Sequence, residues 1–224
     1  MVEPIHADLE QEHLLPSQHL LDSGSITAQT LATSQNDYGT LVIGPTRADY
    51  RWQASVSQGF DSSHFTIDWE AKQATCPEGH TSISWTPSID TRKNESIKIR
   101  FSTKDCQACP SQMQCTHSQS RVPRRLLSVR PQEQYQALQA ARQRQTTPTF
   151  TKQYAARSGI EATISQGVRA FGMRRSRSIG QEKTHLQHLS IAAALNLVRI
   201  VAWLDGDELA PTRVSAFQRL YLAA

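Results

Sequence analysis

Residues 17–45 read SQHLLDSGSITAQTLATSQNDYGTLVIGP, and their pattern indicates the fold class. The apolar run HLL ends at Asp22 and is followed by a Ser-Gly turn signal. The segment ITAQTLATSQ has helical spacing, and TLVI is a short β-rich run closed by Gly44 and Pro45. Two buried strands joined by a helix are typical of a βαβ unit in an α/β sheet. Asp22 then lies at the carboxyl end of its strand, where open α/β sheets commonly place active sites.

The rest of the chain changes character twice. The segments HFTIDWEA, TSISWTP and SIKIRFST predict a small antiparallel sheet between residues 60 and 104. Apolar periodicity then predicts helices near 131–144, 147–171, 181–204 and 213–222. We therefore divide the chain into an α/β core (1–59), a β-rich insertion with cysteines (60–130) and a helical C-terminal part (131–224). In the helix near 181–204 the predicted buried face consists of Leu186, Leu189, Ala193, Leu197, Val201 and Leu204.

Composition excludes several classes of protein. The chain has 224 residues with 38% hydrophobic and 20% charged side chains, which is ordinary for a globular protein. No apolar run approaches the length of a membrane span, and the acidic N-terminus lacks the basic start of a signal peptide. We expect a cytoplasmic protein with no membrane partner. The sequence leaves open whether the chain forms a homodimer.

Charge is distributed unevenly along the chain. Residues 1–120 hold 8 basic and 14 acidic side chains, whereas residues 121–224 hold 16 basic and 6 acidic ones. A basic C-terminal half predicts a polyanionic partner, nucleic acid first, although a solvated basic face is the simpler alternative. Arg174, Arg175 and Arg177 follow Gly172 in a loop, and with Lys183 they are candidates for phosphate contacts. A weaker pair of candidates is Arg124 and Arg125.

Four cysteines occur at positions 76, 106, 109 and 115. The pair Cys106 and Cys109 has the spacing of a zinc knuckle, and Cys76 and Cys115 complete a tetrahedral thiolate set. His80 and His117 are alternative ligands. Four unligated thiols are the other interpretation. A site closed by four thiolates would be structural and would hold the sheet of the insertion to its loop.

The basic segment 151–177 contains one carboxylate, Glu161. At 100° per residue, Tyr154, Arg157, Glu161 and Arg169 share one stripe of a continuous helix. One interpretation is an ion pair one turn apart, from Arg157 to Glu161. The other is a carboxylate ligand of a divalent metal, flanked by side chains that hold a phosphate backbone.

The spacing of Tyr154, Arg157 and Glu161 resembles the Tyr-x2-Arg-x3-Glu signature of DDE transposases from bacterial insertion sequences. Other blocks are similar to one branch of that family with a cysteine-bearing insertion; they include LLDSGSITAQTL, FTIDWEAKQATCPEGHTSISW, FSTKDCQACPSQMQCT and RRSRSIGQEKTHLQHLSIAAALNLVRIVAWL. The resemblance covers nearly the whole chain.

The resemblance implies an RNase H-like core, of which this chain holds a part, and two Mg²⁺ ions held by three carboxylates. Glu161 matches the third acid and Asp22 the second, while Tyr154 and Arg157 match the DNA-facing pair. The last basic position of the signature is Val168 here, and Arg169 follows it. Zn²⁺ in the insertion would be a second, structural metal.

No residue matches the first aspartate of the family, since EPIHADLEQEHLLP around Asp8 does not have the pattern of a strand. We therefore expect the C-terminal part of a transposase, which binds the ends of its element and does not cut DNA alone. The alternatives are a non-catalytic DNA-binding regulator and a plain zinc-stabilised domain.

Overall fold

The computed structural model describes residues 2–56, 58–118 and 120–208. The chain divides into two units, Met1–Ala156 and Arg157–Ala224. The described residues form a mixed α/β structure, which confirms the coarse fold class.

In chain order the elements of the first unit are α1 (Val2–Gln11), β1 (Gln18–Leu20), α2 (Ala28–Asn36), β2 (Leu41–Ile43), α3 (Trp52–Val56), a 3₁₀ turn (Ser62–His64), β3 (Thr66–Asp68), β4 (Gln73–Thr75), β5 (Ser82–Ile89), β6 (Glu95–Phe101), α4 (Thr103–Ala108), α5 (Gln112–Cys115), β7 (Leu126–Val129), α6 (Gln132–Gln145) and α7 (Pro148–Ala155).

The predicted βαβ unit is present. Strands β1 and β2 pair in parallel with α2 between them. Helix α2 begins after Thr27, whose side chain accepts a hydrogen bond from the Thr30 amide at 3.0 Å and so satisfies a free amide of the first turn. Its apolar side packs with β2 and α6 in a small core of Ile26, Leu31, Val42 and Ala141. Burial of these side chains stabilises the pairing of the two strands.

Gly44 ends β2 at a point of close approach. A Cβ atom at this position would overlap the Leu21 carbonyl oxygen and the side chain of Ile26. Leu21 directly follows β1, and its amide donates to the Ile43 carbonyl at 2.9 Å. Glycine therefore allows the two strand ends, and Asp22 beside them, to lie close together.

The β-rich region forms two small sheets, whereas the sequence predicted one. Strands β3 and β4 pair antiparallel, and a separate sheet has the order β5-β6-β7. An isolated bridge between Thr75 and Thr81 connects the end of β4 to the start of β5. The sequence did not predict β7, because LLSV is too short to show a periodic pattern. One core lies beneath both sheets; its buried members are Phe65, Ala74, Ile99, Phe101, Leu127 and Val129.

The predicted helix near 147–171 is interrupted. Helix α7 ends at Ala155, and α8 (Ser158–Phe171) begins after Arg157. The amides of Ala156 and Ile160 bond to carbonyls three residues back, at 3.2 and 2.9 Å, as in a 3₁₀ turn. Ser158 and Gly159 follow the break, and both have lower helix propensity than alanine.

The second unit contains α8 and α9 (Gln181–Leu204), and the bounds predicted for α9 are confirmed. The predicted buried face of α9 is wrong. Ile191 and Leu195 are buried there, on the opposite side of the helix, while Leu189, Leu197 and Val201 are more than half exposed. The buried side lies against Gly167 of α8, where a Cβ would be in ordinary contact with Ile191 and Leu195, at 3.8 and 3.5 Å. The helix predicted near 213–222 lies outside the described residues.

Helix α9 is long and apolar enough to cross a membrane by length and composition alone, with a mean hydropathy of 1.3. One such helix is weak evidence of a membrane span, because the test uses length and composition only. The sequence analysis found no apolar run of membrane-spanning length, and α9 is an exception to that statement. The absence of a membrane partner stays a prediction.

Candidate functional site

Asp22 follows β1 at its carboxyl end, as predicted. One carboxylate oxygen accepts a hydrogen bond from the Ser25 amide at 3.0 Å, and the Asp22 carbonyl accepts from the same amide at 3.1 Å. This tight turn leads the chain from β1 towards α2 and holds the carboxylate beside Gly24, where an added Cβ would lie 3.6 Å from it. Asp22 is exposed and belongs to the first unit.

Glu161 lies in the first turn of α8, within the second unit. Arg157 Nη1 lies 3.5 Å from Glu161 Oε1, which is the ion pair that the sequence offered as the simpler interpretation. The Glu161 side chain is 67% exposed, so the carboxylate is accessible to solvent and to ions. Asp22 and Glu161 belong to different units, and their approach to one metal stays a prediction.

Tyr154 does not share a helix with Glu161. It lies in α7, where its ring stacks on Phe150 with a centroid distance of 5.7 Å and an interplanar angle of 9°. The predicted stripe through Tyr154, Glu161 and Arg169 was therefore wrong for Tyr154, because the chain leaves the helix before Arg157. Glu161 and the exposed Arg169 do share α8.

The arginine loop, which we define as residues 172–180, connects α8 to α9. Gly172 ends α8 in the left-handed conformation with φ 62°, which favours glycine. Across the described chain, Arg174, Arg175 and Arg177 form no ion pair, and all three are exposed. Their guanidinium groups are thus available to an anionic ligand.

Gln187 of α9 holds the arginine loop on both sides of Ser176. Its side-chain oxygen accepts from the Arg177 amide at 2.9 Å, and its side-chain nitrogen donates to the Arg175 carbonyl at 2.7 Å. Ser176 adds a contact of 3.0 Å to the hydroxyl of Thr184. The loop backbone is therefore fixed on α9 while its arginine side chains extend into solvent.

An open groove of about 730 Å³ lies beside this loop, within the second unit. His185 and His188 line it together with small and polar residues of the loop and of the first turns of α9; these are Ser176, Ser178, Gly180, Gln181 and Thr184. Lys183 is exposed on the same turns of α9. Hydroxyl, imidazole and ammonium groups next to free arginines suit a phosphate backbone.

The four cysteines line one cavity of about 30 Å³ in the first unit. The sequence separates them by up to 39 positions, and the fold brings Cys76 from the end of β4 to the others on and after α4. The His80 amide donates to Cys76 Sγ at 3.3 Å, and the Arg125 amide donates to Cys106 Sγ at 3.5 Å. Burial raises the pKa of the Cys115 thiol to about 11 and also raises the pKa of Cys106.

Within residues 2–56, 58–118 and 120–208, no group of three or more His, Cys, Asp or Glu side chains is arranged to hold a metal ion. The four thiols therefore line one cavity, but they are not arranged in the coordination geometry of a bound metal ion. Of the two alternative ligands, His80 also lines the cavity. His117 instead stacks on Trp52, with the ring centroids 3.6 Å apart.

The prediction of phosphate contacts at Arg125 was wrong. Its side chain is only 6% exposed, whereas Arg124 is exposed. Arg125 Nη1 donates to the Cys115 carbonyl at 2.9 Å and Nη2 to the Phe60 carbonyl at 3.1 Å. Sequence reasoning also missed Gln187. Neither role has a local signature, because each depends on carbonyls or amides that are distant in sequence.

Comparison with known proteins identifies a family for the chain. A family model described as Transposase DDE domain matches residues 75–201. That range includes the four cysteines, Tyr154, Glu161 and the arginine loop, and it excludes Asp22. No curated protein and no solved structure shows significant similarity to the chain. Because the family model matches more than half of its residues, this chain belongs to the transposase DDE domain family.

Proposed function

We propose that this chain takes part in DNA transposition by divalent-metal-dependent phosphoryl transfer, with insertion-sequence ends as its DNA substrate. The family match carries the proposal. Asp22, placed at the carboxyl end of β1 in a parallel βαβ unit, and Glu161, exposed on α8, are the carboxylates that we assign to metal binding. We assign the two parallel strands, β1 and β2, to an RNase H-like core.

Both carboxylates suit a hard cation, because Mg²⁺ prefers oxygen ligands. Mg²⁺, when bound, would activate the attacking hydroxyl and stabilise the leaving oxygen. Asp22 is oriented by the Ser25 amide, and Arg157 holds Glu161 on the first turn of α8. The described residues show no preformed metal cage, and only two acids of the family set are matched here.

DNA binding is assigned to the second unit. The support is the arginine loop, whose three arginines are exposed while Gln187 fixes the loop backbone. Arg157, Arg169, Lys183 and Tyr154 are proposed as further backbone contacts. Phosphate contacts position a protein on DNA without reading its sequence, so this surface explains affinity rather than choice of target.

Iron-directed cleavage of the protein tests the metal assignment without requiring catalysis. Fe²⁺ with ascorbate and peroxide should cut the polypeptide near Asp22 and near Glu161, and excess Mg²⁺ should suppress both cuts. Asp22→Asn and Glu161→Gln should each abolish the cuts, whereas Glu182→Gln, an exposed glutamate of α9, should not. Cuts at only one of the two positions, or cuts indifferent to both substitutions, would contradict a shared metal.

DNA assays separate the alternative class. Weak Mg²⁺-dependent nicking of DNA that flanks the gene, lost in Glu161→Gln, would support the transposase assignment. Salt-dependent binding with no nicking under any metal would favour a non-catalytic DNA-binding regulator.

A structural Zn²⁺ is the second metal that we propose. It is supported by four thiols around one cavity and by amide donors to two of the sulfurs. Zn²⁺ binding requires deprotonated thiols, so it must overcome the raised pKa of Cys115 and draw the sulfurs together. Metal analysis of the purified chain should find one zinc, lost in Cys106→Ser and kept in Met113→Ser, an exposed residue of the same segment. One zinc per chain in Cys106→Ser would contradict the site.

A further inference from the structure

Arg125 is a buried cation to which the proposed function gives no role. Its side chain is 6% exposed, and it lines the same cavity as the four cysteines. Arginine is almost never buried to this degree unless its charge is paired. The surroundings of Arg125 therefore need an explanation beyond packing.

The described groups around Arg125 supply hydrogen bonds but no direct ion pair. Nη1 and Nη2 donate to the carbonyls of Cys115 and Phe60, and the guanidinium lies 5.4 Å from the ring centroid of Phe65. No ion pair joins it to any described Asp or Glu. Nε is buried and has no hydrogen-bond partner within the described chain. Asp61 and Asp49 favour the charged guanidinium only from beyond ion-pair distance, while burial and Arg51 oppose it. The positive charge is therefore only partly compensated, which is costly in a buried place.

Among the described residues that line this cavity, the groups that can carry negative charge are the four cysteines and Glu78 at its edge. Glu78 accepts a hydrogen bond from the Ser111 hydroxyl at 2.6 Å and is exposed. Binding of one divalent zinc-like cation by four thiols releases four protons and leaves a complex with a net charge of about −2. A cation fixed beside that complex would stabilise it, and the complex would compensate the cation.

We propose that Arg125 is the positioning residue and counter-charge of a four-thiolate metal centre formed by Cys76, Cys106, Cys109 and Cys115. The inference rests on the proposed zinc site. Arg125 acts on the ligands through three contacts: its amide bonds to Cys106 Sγ, its side chain bonds to the Cys115 carbonyl, and its charge faces the cavity lining.

The same residue connects the cysteine cavity to the chain that precedes the sheets. Arg125 bonds to the Phe60 carbonyl, and Gln53 of α3 donates to the Cys115 carbonyl at 3.2 Å. Two side chains from different elements thus converge on one carbonyl of a ligand residue. Metal binding should therefore order the segment of α3 and Phe60 together with the cysteines.

Cobalt titration of the full chain tests this inference, because Co²⁺ bound by four thiolates gives sulfur-to-metal charge-transfer absorption. The informative variants are Arg125→Lys and Arg125→Met, since both lose the forked hydrogen bonds and only lysine keeps the charge. Arg130→Met is the control, because Arg130 pairs with Asp90 at 3.1 Å and does not line the cavity. Thermal unfolding of each metal-free protein reports folding separately from metal binding.

Arg125→Met should weaken Co²⁺ binding by about 10- to 100-fold, which is usual when a supporting partner of metal ligands is removed. Arg125→Lys should bind at least about tenfold more tightly than Arg125→Met, because a buried charge is only weakly screened. Arg130→Met should bind like the wild type. Equal Co²⁺ affinities of the lysine and methionine variants would overturn the counter-charge role. Arg125 would then support the site through its hydrogen bonds alone.

Failure of the underlying zinc site has a different signature. A wild-type chain that shows no charge-transfer absorption with Co²⁺ would contradict the metal centre itself. A wild type that binds one Co²⁺, with unchanged affinity in both Arg125 variants, would contradict only the inference about Arg125.

Discussion

Arg157 Nη1 lies 3.5 Å from Glu161 Oε1, one helical turn apart at the start of α8. The pair is exposed on the glutamate side, and exposed pairs of this kind contribute about 0.3–0.5 kcal/mol to stability. Such a weak interaction does not require Glu161 to be structural. The carboxylate can accordingly serve a metal at little cost to the helix.

The first prediction is that Glu161→Gln leaves stability nearly unchanged. Loss of the ion pair should lower the free energy of unfolding by less than about 0.5 kcal/mol. Urea denaturation followed by circular dichroism measures the change. A loss above about 2 kcal/mol would show that Glu161 supports the fold, and its activity phenotype could then not be assigned to metal binding.

The second prediction distinguishes residues of the arginine loop that contact DNA from a residue that only holds the loop backbone in place. Arg175→Ala should weaken DNA binding and reduce the salt slope of the logarithm of the affinity by about 1, because one phosphate contact is lost. Gln187→Ala removes both bonds that hold the loop, yet it removes no charge. It should weaken binding with little change in slope.

Binding isotherms of both variants at several salt concentrations give the two slopes. Gln181→Ala is the matched control, because Gln181 lines the same groove without bonding to the loop backbone. Equal slopes for Arg175→Ala and the wild type would contradict phosphate contact at Arg175.

The third prediction concerns Gly44. Gly44→Ala would place a Cβ against the Leu21 carbonyl and Ile26, neither of which can move without disturbing the strand pair or its core. We expect the free energy of unfolding to fall by about 1–3 kcal/mol, as for other overpacked sites. Gly24→Ala is the control, because its Cβ would meet only ordinary contact with Asp22 Oδ1. Similar stability of both variants in chemical denaturation would refute the close approach.

The fourth prediction is a loss of stability in mild acid. His6 is fully buried with its Nε2 2.8 Å from His19 Nδ1, its ring lies against Tyr38, and its Nδ1 has no partner among the described residues. Burial lowers the pKa of His6 from 6.5, and burial and His6 together lower the pKa of His19. The unfolded chain binds protons first as the pH falls below about 6.5, so stability declines from there until the lower folded pKa is reached.

The unfolding free energy measured between pH 8 and pH 5 should therefore fall with a slope of at most about 1.4 kcal/mol per pH unit for each histidine. His6→Gln should flatten the curve, because one of the two coupled groups no longer titrates. His13→Gln, which changes an exposed histidine, should leave the curve of the wild type. An unaltered slope in His6→Gln would assign the acid sensitivity to other groups.

Local patterns alone determined much of the first unit and the outline of the second. The βαβ unit, α6, α9 and the position of Asp22 after β1 followed from apolar runs, turn residues and helical spacing, which depend on neighbours in sequence. The family followed from the spacing of Tyr154, Arg157 and Glu161 together with the cysteine segment, and the matching family model confirms it. These features need no knowledge of distant contacts.

Tertiary structure decided which surfaces are used. Periodicity identified an apolar stripe on α9, but the buried residues are Ile191 and Leu195 on the opposite side, which lie next to Gly167 of α8. Arg125 has the same local sequence character as Arg124, and only the carbonyls of Phe60 and Cys115 make it a buried cation. Sequence records which side chains are present at each position, whereas burial and charge pairing depend on groups brought together from far along the chain, and these appear only once the chain has folded.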